Sequence, residues 1–226
     1  MSEPRRVLLA GATGLVGTRV MQATRGHNSL RLIALTRREV PIPRGLRMEM
    51  MVADPARWPE AVATIAPEAM ICALGTTRRK AGSEEAFRAV DHDLVLALAQ
   101  AARKAEVANF VLVSSAGADA HGKALYLRVK GEVEAALGKL RFRRLDILRP
   151  GLLRGRRIDD RRPLELLAML VSPALDLLLH GDKRRYRSID ARAVAAAALQ
   201  MAREKAAGRF VHDNDSILRA ARRFEG

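Results

Sequence analysis

Apolar residues along the chain gather into short, nearly continuous runs, separated by stretches in which they recur every three or four positions. Six such runs, over residues 6–11, 30–36, 48–54, 69–75, 110–115 and 145–151, are rich in aliphatic and β-branched side chains. Runs of this length predict strands, and their lack of polar alternation predicts a sheet covered on both faces. Six strands alternating with helical stretches predict an open, doubly wound parallel α/β sheet of Rossmann type. Between the fourth and fifth runs, Ser83 stands as an N-cap with Ala86 at N3, and Glu84 and Glu85 fill the first turn. Val90, Leu94, Leu98 and Ala102 then share one face of a helix reaching about Lys104. After Gly151 the alternation gives way to two helical stretches, 163–180 and 189–207, and a strand-like run at 209–212. The whole of 1–226 reads as one domain, with 152–226 supplying a small, mainly helical cap on the substrate side. Helix 163–180 is apolar on several sides and interrupted by Pro173; it suits core packing, a pocket wall or a dimer face.

The first turn carries the most specific chemistry. Gly11, Ala12, Thr13, Gly14, Leu15, Val16 and Gly17 form a GxxGxxG between a strand and an amphipathic helix. Gly11 suits a tight turn, Gly14 lets a diphosphate approach the backbone, and Gly17 lets the helix pack on the sheet. No lysine followed by serine or threonine ends the loop, so the Walker pattern is absent. At the end of the second run, where an NAD site would place a carboxylate on the ribose, stand Thr36, Arg37 and Arg38. Guanidiniums pair with a 2′-phosphate by charge-assisted bonds of about 1.5 to 3 kcal/mol each, so NADPH, with NADP preferred over NAD, is the expected cofactor. Asp54 suits either the adenine amino group or a helix cap.

The fifth run ends in Ser114 and Ser115, and Tyr126 follows with Lys130 four positions later. Residues i and i+4 share a helix face, so phenol and ammonium can point into one cleft. An ammonium lowers the pKa of a nearby phenol, which suits a tyrosine exchanging a proton with a substrate oxygen that Ser115 orients. His92, His121 and His180 lie on separate elements without ligand spacing, so no metal site is expected. Asp91 and Asp93 read as solvated carboxylates. Cys72 sits in an apolar stretch and reads as a buried, inert thiol.

Composition alters this picture in one respect. The chain carries 40 basic against 25 acidic residues, a formal charge of +15, which invites a nucleic-acid reading. Only eight aromatics are present and 33 of the cations are arginine, so a base-stacking platform is excluded and no nucleic-acid partner is expected. Arg37, Arg38, Arg44 and Arg47, then Arg78, Arg79 and Lys80, then Arg154, Arg156, Arg157, Arg161 and Arg162 all follow carboxyl ends of predicted strands. They predict a positive rim around an anionic dinucleotide, with room for an acidic small-molecule substrate. No apolar run is long enough for a membrane span, and no signal peptide opens the chain, so a cytoplasmic monomer or homodimer is expected.

GATGLVG at Gly11 to Gly17, the Thr36 to Arg38 turn, ALGTT from Ala73, VSSAGA from Val113, YLRVKGE from Tyr126 and RPGLL from Arg149 occur in one order. In this the chain resembles an atypical short-chain dehydrogenase/reductase, similar to the Tat-interacting oxidoreductase-like proteins and their bacterial relatives. The resemblance implies that Gly11, Thr13, Gly14, Leu15, Val16, Gly17, Arg37, Arg38, Asp54, Ala73, Leu74, Gly75, Lys130, Pro150, Gly151 and Leu152 line the cofactor. It implies Ser115, Tyr126 and Lys130 in the catalytic places, and hydride transfer to a small carbonyl or quinone-like substrate. The asparagine that completes the tetrad of other short-chain reductases has no obvious counterpart. A regulatory or interaction protein that binds NADPH with little turnover is the alternative. Sugar-nucleotide epimerase or dehydratase chemistry is a weaker one, since little chain follows Gly151.

Overall fold

The computed structural model describes residues 3–42, 44–46, 48–155 and 181–226. Seven strands form one parallel sheet: β1 (Arg5–Ala10), β2 (Leu30–Thr36), β3 (Glu49–Val52), β4 (Ala69–Cys72), β5 (Asn109–Val113), β6 (Arg144–Leu148) and β9 (Gly208–His212). Their order is β3-β2-β1-β4-β5-β6-β9, so the winding reverses between β1 and β4. Such a reversal opens a crevice at the carboxyl ends of the two central strands. A two-stranded ribbon, β7 (Leu153–Arg154) with β8 (Ile189–Asp190), lies outside the main sheet.

Alternate residues of each central strand feed two separate cores. Val7, Leu9, Leu32, Ala34, Ala69, Ile71, Val111 and Val113 face one layer, and Leu8, Ala10, Ile33, Leu35, Met70, Cys72, Phe110 and Leu112 face the other. This is why the strands read as unbroken apolar runs. The first layer is covered by α1 (Leu15–Ala23), α7 (Ala191–Arg203) and α8 (Asn214–Glu225). The second is covered by α2 (Trp58–Ile65), α5 (Leu94–Lys104) and α6 (Leu125–Lys139).

Two short helices, α3 (Arg78–Ala81) and α4 (Glu84–Arg88), follow β4. Thr77 caps α3 through Lys80 N, and Ser83 caps α4 through Ala86 N at 3.0 Å, as its place ahead of two glutamates requires. A π-helical turn, Ala89–Asp93, joins α4 to α5. Of the C-terminal stretch, β9 extends the main sheet and α7 packs on α1, while the expected helix 163–180 lies outside the described residues.

Strand β6 departs from the apolar rule at Arg144 and Asp146. Both are buried and joined by two bonds of 2.6 and 2.9 Å, and His212 Nε2 on β9 lies 2.8 Å from the same carboxylate. The Arg144 guanidinium also stacks 4.3 Å from the Phe210 ring centroid. A hydrogen bond and a cation–π stack therefore join the edge strand β9 to the sheet beside its backbone ladder.

Candidate functional site

The glycine loop lies at the carboxyl end of β1, where the sheet reverses. Gly11 has φ of +91°, and a Cβ there would lie 2.5 Å from Ala73 O. A Cβ on Gly17 would lie 2.0 Å from Gly11 O. Each position excludes any larger residue, so α1 begins hard against the strand ends. Gly14 N donates to Gly11 O at 3.0 Å, and Gly14 caps α1 without any side-chain bond. No acidic residue occupies the first turn. The helix N-terminus thus presents N–H groups and positive dipole with no internal carboxylate competing for them. Val16 is buried, Leu15 is half-buried and Thr13 is exposed.

Across the crevice, Ala73, Leu74 and Gly75 continue from β4, Ser115 from β5, and Pro150, Gly151 and Leu152 from β6. Ala116 N donates to Pro150 O at 2.8 Å, and Gly151 N to Asn214 Oδ1 at 2.9 Å, so these turns brace one another. Leu152 is 57% exposed at the rim. Arg37 and Arg38 are exposed beyond β2, and Arg78, Arg79 and Lys80 are exposed on α3. Arg154 is half-buried on β7, whereas Arg47, Arg156, Arg157, Arg161 and Arg162 lie outside the described residues. Asp54 is a cap: its Oδ1 accepts from Ala56 N at 2.9 Å at the head of a 3₁₀ turn.

Tyr126 and Lys130 occupy the first two turns of α6. Tyr126 is 41% exposed; its ring packs beside Phe87 at 6.1 Å and has Lys130 Nζ 5.9 Å from its centroid. Lys130 itself is buried, and Nζ donates to Leu74 O at 3.4 Å. The Ser115 hydroxyl donates to Ala116 O at 3.3 Å and makes no bond to Tyr126. Phenol and ammonium are therefore neighbours, and the serine follows the end of β5.

Two carboxylates stand beneath this group, and neither was expected there. Asp91 is fully buried, not solvated: Oδ1 lies 3.0 Å from Lys130 Nζ, and Oδ2 accepts from Thr76 N at 2.7 Å. Asp91 precedes Val95, Leu98 and Ala102 by four, seven and eleven positions, so its place on the buried stripe is visible in the spacing. Glu134, one turn beyond Lys130, accepts from Ser114 Oγ at 2.5 Å and from Arg149 Nε at 3.0 and 3.1 Å. Burial would push the Lys130 ammonium down, but Asp91, with Tyr126 and Cys72 nearby, holds it above the usual lysine value. Burial pushes the Cys72 thiol up to about 11, which makes it a poor nucleophile at neutral pH.

Residues 50–171 match the family model described as HIM1. The chain is similar to "Protein fmp52, mitochondrial" of Emericella nidulans, at 37% identity over three quarters (75%) of each chain. Among solved structures it is similar in fold to the UDP-glucose 4-epimerase of Brucella ovis in complex with NAD, with a TM-score of 0.69, 16% identity, and 95% of this chain and 81% of that one covered. MoeE5 in complex with UDP-glucose and NAD gives 0.68 at 17% identity, over 91% and 74%. The two structural likenesses show a Rossmann-type fold, in agreement with the sheet order and the glycine loop.

Two expectations are corrected by these comparisons. The preference for NADPH, read from Arg37 and Arg38, is overturned by fold neighbours that hold NAD. Both arginines are exposed, and among the described residues no hydrogen bond or ion pair holds either guanidinium. The cytoplasmic expectation is overturned by fungal relatives named as mitochondrial proteins. Absence of a membrane segment does not distinguish one aqueous compartment from another; no helix among the described residues is long and apolar enough to cross a membrane.

Proposed function

The chain belongs to the HIM1 family, and from that premise we propose that it is an NAD-dependent oxidoreductase reducing a small carbonyl or quinone-like compound. The observation that carries this reading is the meeting, at one sheet edge, of a glycine-built helix terminus with a phenol beside a buried ammonium. Gly11, Thr13, Gly14, Leu15, Val16 and Gly17 hold the diphosphate, and Ala73, Leu74, Gly75, Pro150, Gly151 and Leu152 form the walls. The fit rests on close approach: the Gly11 and Gly17 positions leave no room for side chains between loop and helix. Bound there, the dinucleotide supplies a hydride from C4 of its nicotinamide ring.

The protein's own residues manage the proton. Tyr126 gives its phenolic proton to the substrate oxygen as negative charge develops there. Lys130, charged and buried, stabilises the phenolate left behind and donates to the nicotinamide ribose. Ser115, at the end of β5, hydrogen-bonds the same substrate oxygen and fixes its direction. The exposed arginines of α3 and the turn after β2 attract an anionic ligand. This division of labour also supports the finer resemblance to an atypical short-chain dehydrogenase/reductase, and a mitochondrial location shared with the fungal relatives belongs to the same proposal.

The test is NADH oxidation with a panel of aldehydes, ketones and quinones, in the wild type and in Tyr126→Phe. Turnover is expected to fall at least about 100-fold in the variant, while NADH binding stays within about threefold. Unmeasurable turnover in the wild type across the panel, or equal turnover in both proteins, contradicts the proposal.

A further inference from the structure

The buried carboxylate of Asp91 has no task in the proton transfer just described. It sits on the π-helical turn Ala89–Asp93, where one extra residue widens the helix and turns a side chain toward the sheet. Phe87, Val95 and Leu98 around it are apolar and equally buried. Removing two charges from water is unfavourable unless their attraction and further hydrogen bonds offset it, so an ion pair here needs a reason other than packing. Its partners supply one. Oδ2 accepts from Thr76 N, in the turn that leaves β4; Oδ1 lies 3.0 Å from Lys130 Nζ and takes no other partner among the described residues; Nζ donates to Leu74 O in the same turn. Gly75 lies over the pair, its Cβ direction 3.6 Å from Oδ1 and 3.7 Å from Nζ. That turn also faces Gly11 of the phosphate loop.

We propose that Asp91 is a positioning residue that keeps the Lys130 ammonium charged and ties it to the turn after β4, so that lysine and cleft wall hold one arrangement. The proposal rests on the role given to Lys130 above. Three titratable groups face Lys130: Asp91 from the π turn, Tyr126 from its own helix and Cys72 from β4. Burial favours the neutral amine, Cys72 is a neutral thiol at neutral pH, and Asp91 is the group that reverses the balance.

The test is thermal unfolding against pH for the wild type, Asp91→Asn and Asp91→Asn/Lys130→Met. In the wild type the folded-state value of Lys130 is raised, so its stabilisation is complete below the ordinary lysine range and is lost only as pH rises beyond it. In Asp91→Asn the ammonium keeps burial without a counter-charge, its folded value falls below the unfolded one, and the sign reverses. The melting-temperature gap between wild type and Asp91→Asn is therefore expected to narrow by about 5 °C or more between roughly pH 7 and pH 10. The double variant, which buries no charge here, is expected to recover most of the loss and to show no such narrowing. A gap independent of pH, or a double variant no more stable than the single one, overturns the proposal.

NADH affinity read by fluorescence gives the functional arm. It is expected to weaken about tenfold more in Asp91→Asn than in the wild type over the same pH span, as the variant's lysine loses its proton. Equal pH dependence in both proteins overturns the coupling to the cleft. No NADH binding by the wild type refutes the function proposed above, and the unfolding data still decide whether Asp91 holds Lys130 charged.

Discussion

Tyr126 and Lys130 divide exposure between them. Tyr126 is 41% exposed, where a substrate can reach it, and the ammonium beneath it is buried. A charge that acts on a phenol from a dry site acts more strongly than one in water. The pair was legible because YxxxK follows strand-ending serines, and i, i+4 spacing leaves little choice of face. Asp91 was not read correctly, since its two neighbours His92 and Asp93 are polar and a carboxylate is seldom fully buried. The stripe Phe87, Val95, Leu98 and Ala102, to which it belongs by helical spacing, is the signal that announces its burial. Gly11 sets the sharpest prediction at this scale. Gly11→Ala combines φ of +91° with a Cβ 2.5 Å from Ala73 O, so NADH binding by fluorescence titration is expected to be lost at least tenfold, with a drop in stability of about 2 kcal/mol or more. Undiminished binding would mean that the loop does not contact the dinucleotide.

At the scale of elements, the strands were readable because both faces of the sheet are dry, which leaves each strand an unbroken apolar run. Strand ends were overrun by up to three residues at β4 and β6, since Ala73 to Gly75, Pro150 and Gly151 are apolar or small for reasons of the crevice and not of the ladder. The side-chain bridges between elements were not readable, because they join residues far apart in the chain. Glu134 is the main one: it gathers Ser114 at the end of β5 and Arg149 at the end of β6 onto α6, one turn from Lys130. Arg149→Ala leaves the Glu134 carboxylate buried with only the serine as partner. A loss of about 2 to 3 kcal/mol by urea unfolding is expected, less than for a wholly buried pair because Arg149 is 35% exposed. Asp146→Ala strips Arg144 and His212 of their shared acceptor, and about 3 kcal/mol is expected from the same measurement, with hydrogen exchange rising first in β9.

Across the whole molecule, the formal charge of +15 and the doubly wound sheet bear on one another. Arg37, Arg38, Arg78, Arg79, Lys80 and Arg154 all follow carboxyl ends of strands, at the edge where the winding reverses. A basic surplus placed there acts on anions that approach the crevice and is screened by salt. NADH affinity is accordingly expected to fall severalfold between low and high ionic strength, and an affinity indifferent to salt would detach the rim from the ligand. Fold and crevice were legible from pattern alone. Cofactor preference and location were not, because two exposed guanidiniums and the lack of a membrane segment constrain neither. The most direct test of the chemistry is label transfer. NADH carrying deuterium at both C4 positions is incubated with the wild type, with Tyr126→Phe and with a carbonyl panel, and the alcohol products are examined by mass spectrometry. Deuterium on the carbinol carbon with the wild type, and its near absence with Tyr126→Phe, is the expected result; no label in any product, or equal label from both proteins, would contradict hydride transfer assisted by Tyr126.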